Sequence, residues 1–235
     1  MGRPPATRAG PRLLLAAVAV FLVLARGSAS AAGQAELTVQ LGHASGVYDV
    51  AWAPGDQQIA TIGFDRTVRL WDTATGAELR SLGLPGSGKP AQMSSVVFLP
   101  SGELAAIGGP DGGLTIWSLT TGAVERQLSL PLGQTTTIAA SSRGRFVAMG
   151  DDEGQLGLYS LADEESRVCD TGLERVEVVS FLPRADGLVL ALDRSGEART
   201  IGPDCSVLGR SPPVAHRLLA ARADADGTSM MFRTE

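Results

Sequence analysis

Residues 41–82, LGHASGVYDVAWAPGDQQIATIGFDRTVRLWDTATGAELRSL, carry the clearest structural pattern in this chain. It has a Gly-His pair near its start, a Trp-Asp pair near its end, and apolar residues that alternate with polar ones between them. Alternation with a period of two is typical of half-buried β-strands, and the intervening Pro, Gly and Asp residues favour turns. The stretch therefore predicts short antiparallel strands joined by tight turns.

The same pattern recurs along the chain. Five segments each have an apolar strand, a turn rich in Pro, Gly, Asp or Ser, and a second apolar strand. The equivalent positions in these segments are Trp52, Phe98, Ala140, Phe181 and Ala221, at spacings of 46, 42, 41 and 40 residues. A second series of equivalent positions comprises Trp71, Trp117, Tyr159 and Thr200. A period of about 40 to 45 residues with four short strands per unit predicts a β-propeller.

Four polar residues of the first unit narrow this prediction. His43, Thr61, Asp65 and Trp71 occur in the order and spacing of the WD-repeat family, which residues 41–82 resemble. The resemblance implies a structural tetrad, a hydrogen-bonded chain from His through Thr and Asp to the Trp indole that ties the entry loop to three strands. Buried polar groups of this kind need partners.

The later units keep less of the tetrad. The second unit has Asp111 and Trp117 but no Gly-His pair, the third has Asp152 with Ala148 at the Thr position, and the fourth has Asp193 without an aromatic partner. We therefore expect the later blades to depend on apolar packing between strands.

The predicted fold is all-β. It is a β-propeller of four-stranded antiparallel blades, with about four complete blades and a partial fifth, preceded by a signal peptide. The predicted blades are residues 43–82, 92–130, 135–170 and 174–209, with the partial blade at 214–235.

Residues 1–31 have the features of a secretory signal peptide. Three arginines precede an apolar run at residues 13–25, and small residues follow at 29–31. Thirteen apolar residues are fewer than the roughly 20 that a helix needs to span a bilayer. We expect cleavage and export to a periplasmic or extracellular location, with no membrane association afterwards. The alternative is a membrane anchor through residues 13–25.

Charge argues against a nucleic acid partner. The chain has 20 basic and 25 acidic residues, and cleavage would remove four arginines and no acid, leaving a formal net charge of −9. An acidic domain repels a phosphate backbone.

The two cysteines, Cys169 and Cys205, would meet an oxidising environment after export. They are predicted on or beside the outermost strands of adjacent blades, which diverge away from the propeller axis. A disulfide needs Cα atoms within about 7 Å. Placement on a loop could bring them together, so the sequence leaves the pairing open.

The number of units leaves closure of the propeller open as well. Residues 35–41 resemble an outer strand, and the fifth unit supplies a first and a second strand. The alternatives are a propeller shorter than its ancestor, a compact five-bladed ring, and an open arc completed by another chain. Unpaired edge strands favour association, so for the open arc we expect self-association through open blade edges.

Residues for catalysis or cofactor binding are few. The GLPGSGKP segment, residues 83–90, nearly matches a phosphate-binding loop, but Pro90 stands where Ser or Thr should hold magnesium. His43 is assigned to the tetrad, and His216 lies in a predicted inner strand. We therefore predict no enzyme activity, no cofactor and no metal site.

The WD-repeat resemblance implies a non-catalytic scaffold for protein–protein interaction. On this chain the candidate partner-binding residues, chosen by their position in the blades, are Tyr48, Arg66, Asp151, Asp152, Asp193 and Arg194. The alternatives are a membrane-anchored sensor or receptor part with an extracytoplasmic propeller, and an exported enzyme of a propeller type.

Overall fold

The computed structural model describes residues 42–83, 93–108, 113–182, 187–213, 218–223 and 230–234. All regular structure in these residues is β-strand, and none of their segments forms a helix that could cross a membrane. In chain order the strands are β1 (Val47–Trp52), β2 (Gln58–Gly63), β3 (Thr67–Asp72), β4 (Glu78–Gly83), β5 (Met93–Phe98), β6 (Glu103–Gly108), β7 (Gly113–Ser118), β8 (Val124–Ser129), β9 (Thr135–Ala140), β10 (Phe146–Asp151), β11 (Gln155–Ser160), β12 (Ser166–Asp170), β13 (Val178–Phe181), β14 (Val189–Leu192), β15 (Ala198–Ile201), β16 (Val207–Ser211), β17 (Leu218–Ala223) and β18 (Met230–Thr234).

The strands form four antiparallel sheets of four and one hairpin. Each sheet follows chain order, β1 to β4, β5 to β8, β9 to β12 and β13 to β16, and we call these sheets blades one to four. Strands β17 and β18 pair as a hairpin. This architecture confirms the predicted all-β fold built from four-stranded propeller blades.

Consecutive blades lie side by side. Strand β1 neighbours β5, β5 neighbours β9, β9 neighbours β13, and β13 neighbours β17. The first strand of each blade therefore lies next to the first strand of the following blade, as the repeat predicts.

Apolar clusters hold the blades together face to face. Between blades one and two the buried cluster comprises Ala51, Ala60, Ile62, Val68, Leu70, Leu82, Val96, Phe98 and Trp117. A second cluster, including Leu114, Ile138 and Tyr159, joins blades two and three. A third joins blades three and four and includes Leu156 and Phe181. Since burial of apolar area contributes about 25 cal/mol per Å², these clusters stabilise the packing of neighbouring blades.

Cys169 and Cys205 form a disulfide, with Cα atoms 5.1 Å apart. Cys169 is buried in β12 of blade three, whereas Cys205 lies in the turn between β15 and β16 of blade four. The turn position overcomes the divergence of the outer strands, because a loop reaches across the gap that two strands would leave. The bridge thus joins adjacent blades at their outer side.

Several segments named in the sequence analysis lie outside the described residues. They are residues 1–41 with the predicted signal peptide and outer strand, residues 84–90 of the glycine-rich segment, residues 109–112, and His216.

Candidate functional site

The tetrad residues of blade one form one hydrogen-bonded chain. The Trp71 indole Nε1–H donates to Thr61 Oγ1 at 2.8 Å, and Thr61 Oγ1 lies 2.7 Å from His43 Nε2. His43 Nδ1 lies 2.9 Å from Asp65 Oδ1. A neutral His43 with its proton on Nδ1 satisfies every pair, since Thr61 then donates to Nε2 and Asp65 accepts from Nδ1. The chain fastens the entry loop to strands β2 and β3.

Asp65 is the centre of this network. Besides His43 it accepts hydrogen bonds from Thr67 Oγ1 at 2.7 Å and from the backbone N–H of Ala44 at 2.8 Å. Burial raises the pKa of Asp65, but the hydrogen bonds from Thr67, His43 and the backbone outweigh it and hold the pKa well below its usual range. The carboxylate is therefore charged at neutral pH and fixes the turn between β2 and β3.

The turn itself carries backbone strain. Arg66 follows Asp65 with a φ of 63°, in the left-handed region that costs a residue with a side chain about 1–2 kcal/mol. The hydrogen bonds from Thr67 to the preceding carboxylate hold this conformation. Arg66 is half-buried, so only part of its side chain reaches the surface.

Two exposed aromatic rings lie at the same end of blade one. Tyr48 in β1 contacts Phe64, directly before Asp65, with ring centroids 3.6 Å apart and the rings tilted by 31°. Both rings are exposed, and Phe64 is exposed by 52%. The Phe64 N–H donates to the Gly46 carbonyl at 2.9 Å, which joins the entry loop to the turn. Sequence reasoning selected Tyr48 and missed Phe64; the available signal was a large apolar residue beside a turn Asp.

The comparisons with known proteins agree with this geometry. The family model described as "WD domain, G-beta repeat" matches residues 35–72, which contain all four tetrad residues. These residues match a WD repeat. Within that WD-repeat match, residues 42–72 are the part that the structure describes.

Curated relatives resemble part of this chain. The serine-threonine kinase receptor-associated protein of Gallus gallus is 37% identical over 71 residues, 30% of this chain and 19% of that protein. The protein of the same name from Mus musculus is 41% identical over 63 residues, 27% of this chain and 16% of that protein. Protein HIR1 of Cryptococcus neoformans var. neoformans serotype D is 44% identical over 48 residues, 20% of this chain and 5% of that protein. The chain thus spans about a fifth or less of these relatives.

Blade three departs from the predicted positions. Asp151 pairs with Thr135 as Gly63 pairs with Val47 in blade one, so it stands at the position of Gly63. Asp151, not Asp152, nevertheless has the hydrogen-bonding role of Asp65, because it accepts from the Gly133 N–H at 2.8 Å and from two N–H groups of its own turn. Asp151 is fully buried, which corrects its assignment as an exposed partner-binding residue. Met149, not Ala148, is equivalent to Thr61, because its partner in β9 is equivalent to the partner of Thr61 in β1. A shift of one residue in the strand register moves each side chain to the opposite face of the sheet. A run of apolar residues does not determine that register.

Blade four shows a similar correction. Asp193 is buried, and its carboxylate accepts from two backbone N–H groups of its own turn, so it supports that turn and is not presented to a partner. Ile201, not Thr200, stands at the position of the blade-ending aromatic residue, because it pairs with Val189 in register. Arg194 is exposed in the turn.

The remaining predicted residue, Asp152, is half-buried and accepts from the Gln134 N–H at 2.8 Å. Arg66, Asp152 and Arg194 thus lie in the corresponding turns of three separate blades. Within the described ranges, His, Cys, Asp and Glu side chains form no group of three or more that could hold a metal ion.

Proposed function

We propose that this chain is a non-catalytic protein–protein interaction scaffold and that the Tyr48–Phe64 pair is its main contact site. The observation that carries the proposal is an exposed pair of contacting aromatic rings beside the hydrogen-bonded tetrad. Aromatic residues dominate binding energy at protein interfaces, where they fill pockets with little loss of side-chain entropy.

Rigidity of the frame supports this assignment. Phe64 adjoins Asp65, whose carboxylate has four hydrogen-bond donors around it, and its own N–H is bonded to the entry loop. Binding therefore orders little of the protein, and ordering costs of about 0.5–1.5 kcal/mol per mobile side chain are avoided. We expect a partner that contributes an apolar side chain to the pair.

A displayed peptide library tests the proposal. Peptides are selected on the immobilised wild-type chain, and their affinities are then measured for the variants Phe64→Asp and Leu208→Asp. Leu208 is the matched control, because it is also exposed but lies in β16 of blade four. We expect the Phe64 variant to weaken the selected peptides by about tenfold or more, which is 1.4 kcal/mol or more, and the control to leave them unchanged. Selected peptides that bind both variants equally well would contradict the assignment.

Export is the second part of the proposal. The Cys169–Cys205 disulfide supports it, because structural disulfides persist in oxidising compartments. Mass spectrometry of the protein recovered from a producing host tests export by its N-terminus. A mature chain that begins at Ala32 supports cleavage, whereas a chain that retains residues 13–25 in the membrane fraction supports the anchored receptor part instead.

A further inference from the structure

The outermost strands of the first three blades carry an arginine at the same position. In each sheet, the arginine pairs with the residue directly before the aromatic residue of the third strand, and the pairs are Leu70 with Arg80, Ile116 with Arg126, and Leu158 with Arg167. Blade four has Gly209 at this position, paired with Thr200. We call Arg80, Arg126 and Arg167 the rim arginines.

Each rim arginine contacts the following blade at one kind of turn. This turn joins the third strand of a blade to the fourth, and we call it the outer turn; in blades one to four it comprises residues 73–77, 119–123, 161–165 and 202–206. Arg126 of blade two reaches the outer turn of blade three, where its Nη1–H donates to the Leu161 carbonyl oxygen at 3.0 Å. The Nε of Arg126 lies 3.6 Å from Glu164 Oε1 in the same turn.

The other two rim arginines have equivalent contacts. Arg80 of blade one lies against the outer turn of blade two, because a Cβ built on Gly122 would collide with the Arg80 guanidinium. Arg167 of blade three donates to the Pro203 carbonyl oxygen in the outer turn of blade four, at 3.3 Å. The same kind of contact therefore joins each four-stranded blade to the next along the outer side.

The disulfide reinforces the third of these contacts. The Arg167 side chain is exposed by 58%, against 33% for Arg126, and its hydrogen bond is the longer one. Cys169, two residues after Arg167 in the same strand, is bonded to Cys205 in the outer turn that Arg167 contacts. The covalent bond thus acts where the rim arginine is most exposed.

We propose that the rim arginines limit the separation of neighbouring blades at their outer side, by holding each outer turn on the blade that precedes it. Apolar burial between the sheets is non-directional, whereas a guanidinium donates hydrogen bonds in a fixed planar arrangement. The carbonyl acceptor carries most of the effect, because an ion pair as exposed as Arg126–Glu164 contributes little. Hydrogen bonds from charged donors are among the stronger ones.

Hydrogen exchange of the whole chain, followed by mass spectrometry, tests the contact between blades two and three. The N–H groups of Ser160 and Glu164 are hydrogen-bonded at the outer turn of blade three, so their exchange reports the opening of that turn. We expect Arg126→Gln to speed exchange in residues 160–165 by about threefold or more. The turn at residues 193–197, between the second and third strands of blade four, should be unaffected.

Arg175→Gln is the matched control for this measurement. Arg175 also forms an ion pair at the surface, but its partner, Glu177, is only two residues along the chain, at 3.2 Å. We expect exchange in residues 160–165 to be the same in this variant as in the wild type.

Two glycines give a second measurement, at the contact between blades one and two. Gly76 and Gly122 lie in the outer turns of these blades with φ values of 69° and 75°. A Cβ on Gly76 would meet nothing within 4 Å, whereas one on Gly122 would displace Arg80. We therefore expect Gly122→Ala to lower the urea midpoint more than Gly76→Ala does. The difference should vanish when both changes are made in an Arg80→Ala chain.

Faster exchange in Arg126→Gln that is confined to the outer turn of blade three supports the proposal. Unchanged exchange in this variant overturns it, as does an equal increase at residues 193–197 or in Arg175→Gln. Equal urea midpoints for the two glycine variants overturn it as well. Peptide binding at the Tyr48–Phe64 pair should not change in any of these variants, because Phe64 precedes β3 and the outer turn follows it.

Discussion

Removing the Cys169–Cys205 disulfide is expected to lower the free energy of unfolding by about 4 kcal/mol. The bridge closes a loop with a sequence separation of 36 residues. In the loop-entropy description, the stabilisation rises from about 3 kcal/mol for 15 residues to about 4.7 kcal/mol for 100 residues, and this loop lies between them. The predicted loss is large, because the whole stability of a domain is about 5–15 kcal/mol.

The choice of replacement refines this prediction. Cys205 has a φ of 68°, so Cys205→Ala keeps a side chain in the left-handed region, whereas Cys205→Gly relieves it. Both variants remove the bridge and leave Cys169 in its buried cluster. We expect the Gly variant to be more stable than the Ala variant by about 1 kcal/mol. Urea denaturation followed by circular dichroism measures both quantities.

Reduction supplies the control without a mutation. The wild-type chain in a strong thiol reductant should unfold close to the midpoint of the Cys205→Gly variant, while the variants should not respond to the reductant. A loss below about 1 kcal/mol in both variants, together with an unchanged wild-type midpoint in reductant, would refute the argument that the bridge constrains the unfolded chain.

Two further predictions concern blade one and blade three. The pKa of Asp65 is lowered in the folded protein, so the stabilisation by its carboxylate is complete above the unfolded pKa of about 3.9 and is lost as the pH falls toward the folded value. In urea titrations, the wild type should therefore lose more stability than Asp65→Asn between pH 5 and pH 2. A Cβ on Gly154 would lie 1.9 Å from the Leu173 carbonyl oxygen, whereas one on Gly172 would meet nothing within 4 Å. Because φ is positive at both, Gly172→Ala should cost about 1 kcal/mol and Gly154→Ala several times more; equal melting shifts would contradict this.

The sequence predicted the blades well and their register less well. Trp52 and Phe98 anchored the first two units because a large aromatic residue at a fixed spacing admits one alignment. In blade three the run Val147–Met149 is apolar at every position, so alternation could not say which residue faces which neighbour, and the tetrad position was misplaced by one. Period-two patterns fix a register only where the two sides differ in polarity.

The candidate site shows a different limit. Tyr48 was predicted from its place in the repeat, whereas Phe64 is a candidate because of its contact with Tyr48, which the repeat pattern does not show. Such a pairing depends on the irregular register between Val47 and Asp49, which no propensity predicts. The buried state of Asp151 was equally hidden, because a carboxylate in a turn looks the same in sequence whether it meets water or backbone N–H groups.

Burial explains why the polar tetrad survives in one blade. In blade three the positions of Thr61 and Trp71 are taken by Met149 and Tyr159, which lie between two sheets and are nearly inaccessible. A hydroxyl buried there would need complete hydrogen bonding to avoid a penalty of about 1–3 kcal/mol. Among the described residues, blade one has another apolar sheet packed on one side only, and its partly buried Thr61 and Trp71 are joined by a hydrogen bond instead. In blade one, directional polar contacts therefore hold strands that apolar packing holds in blade three.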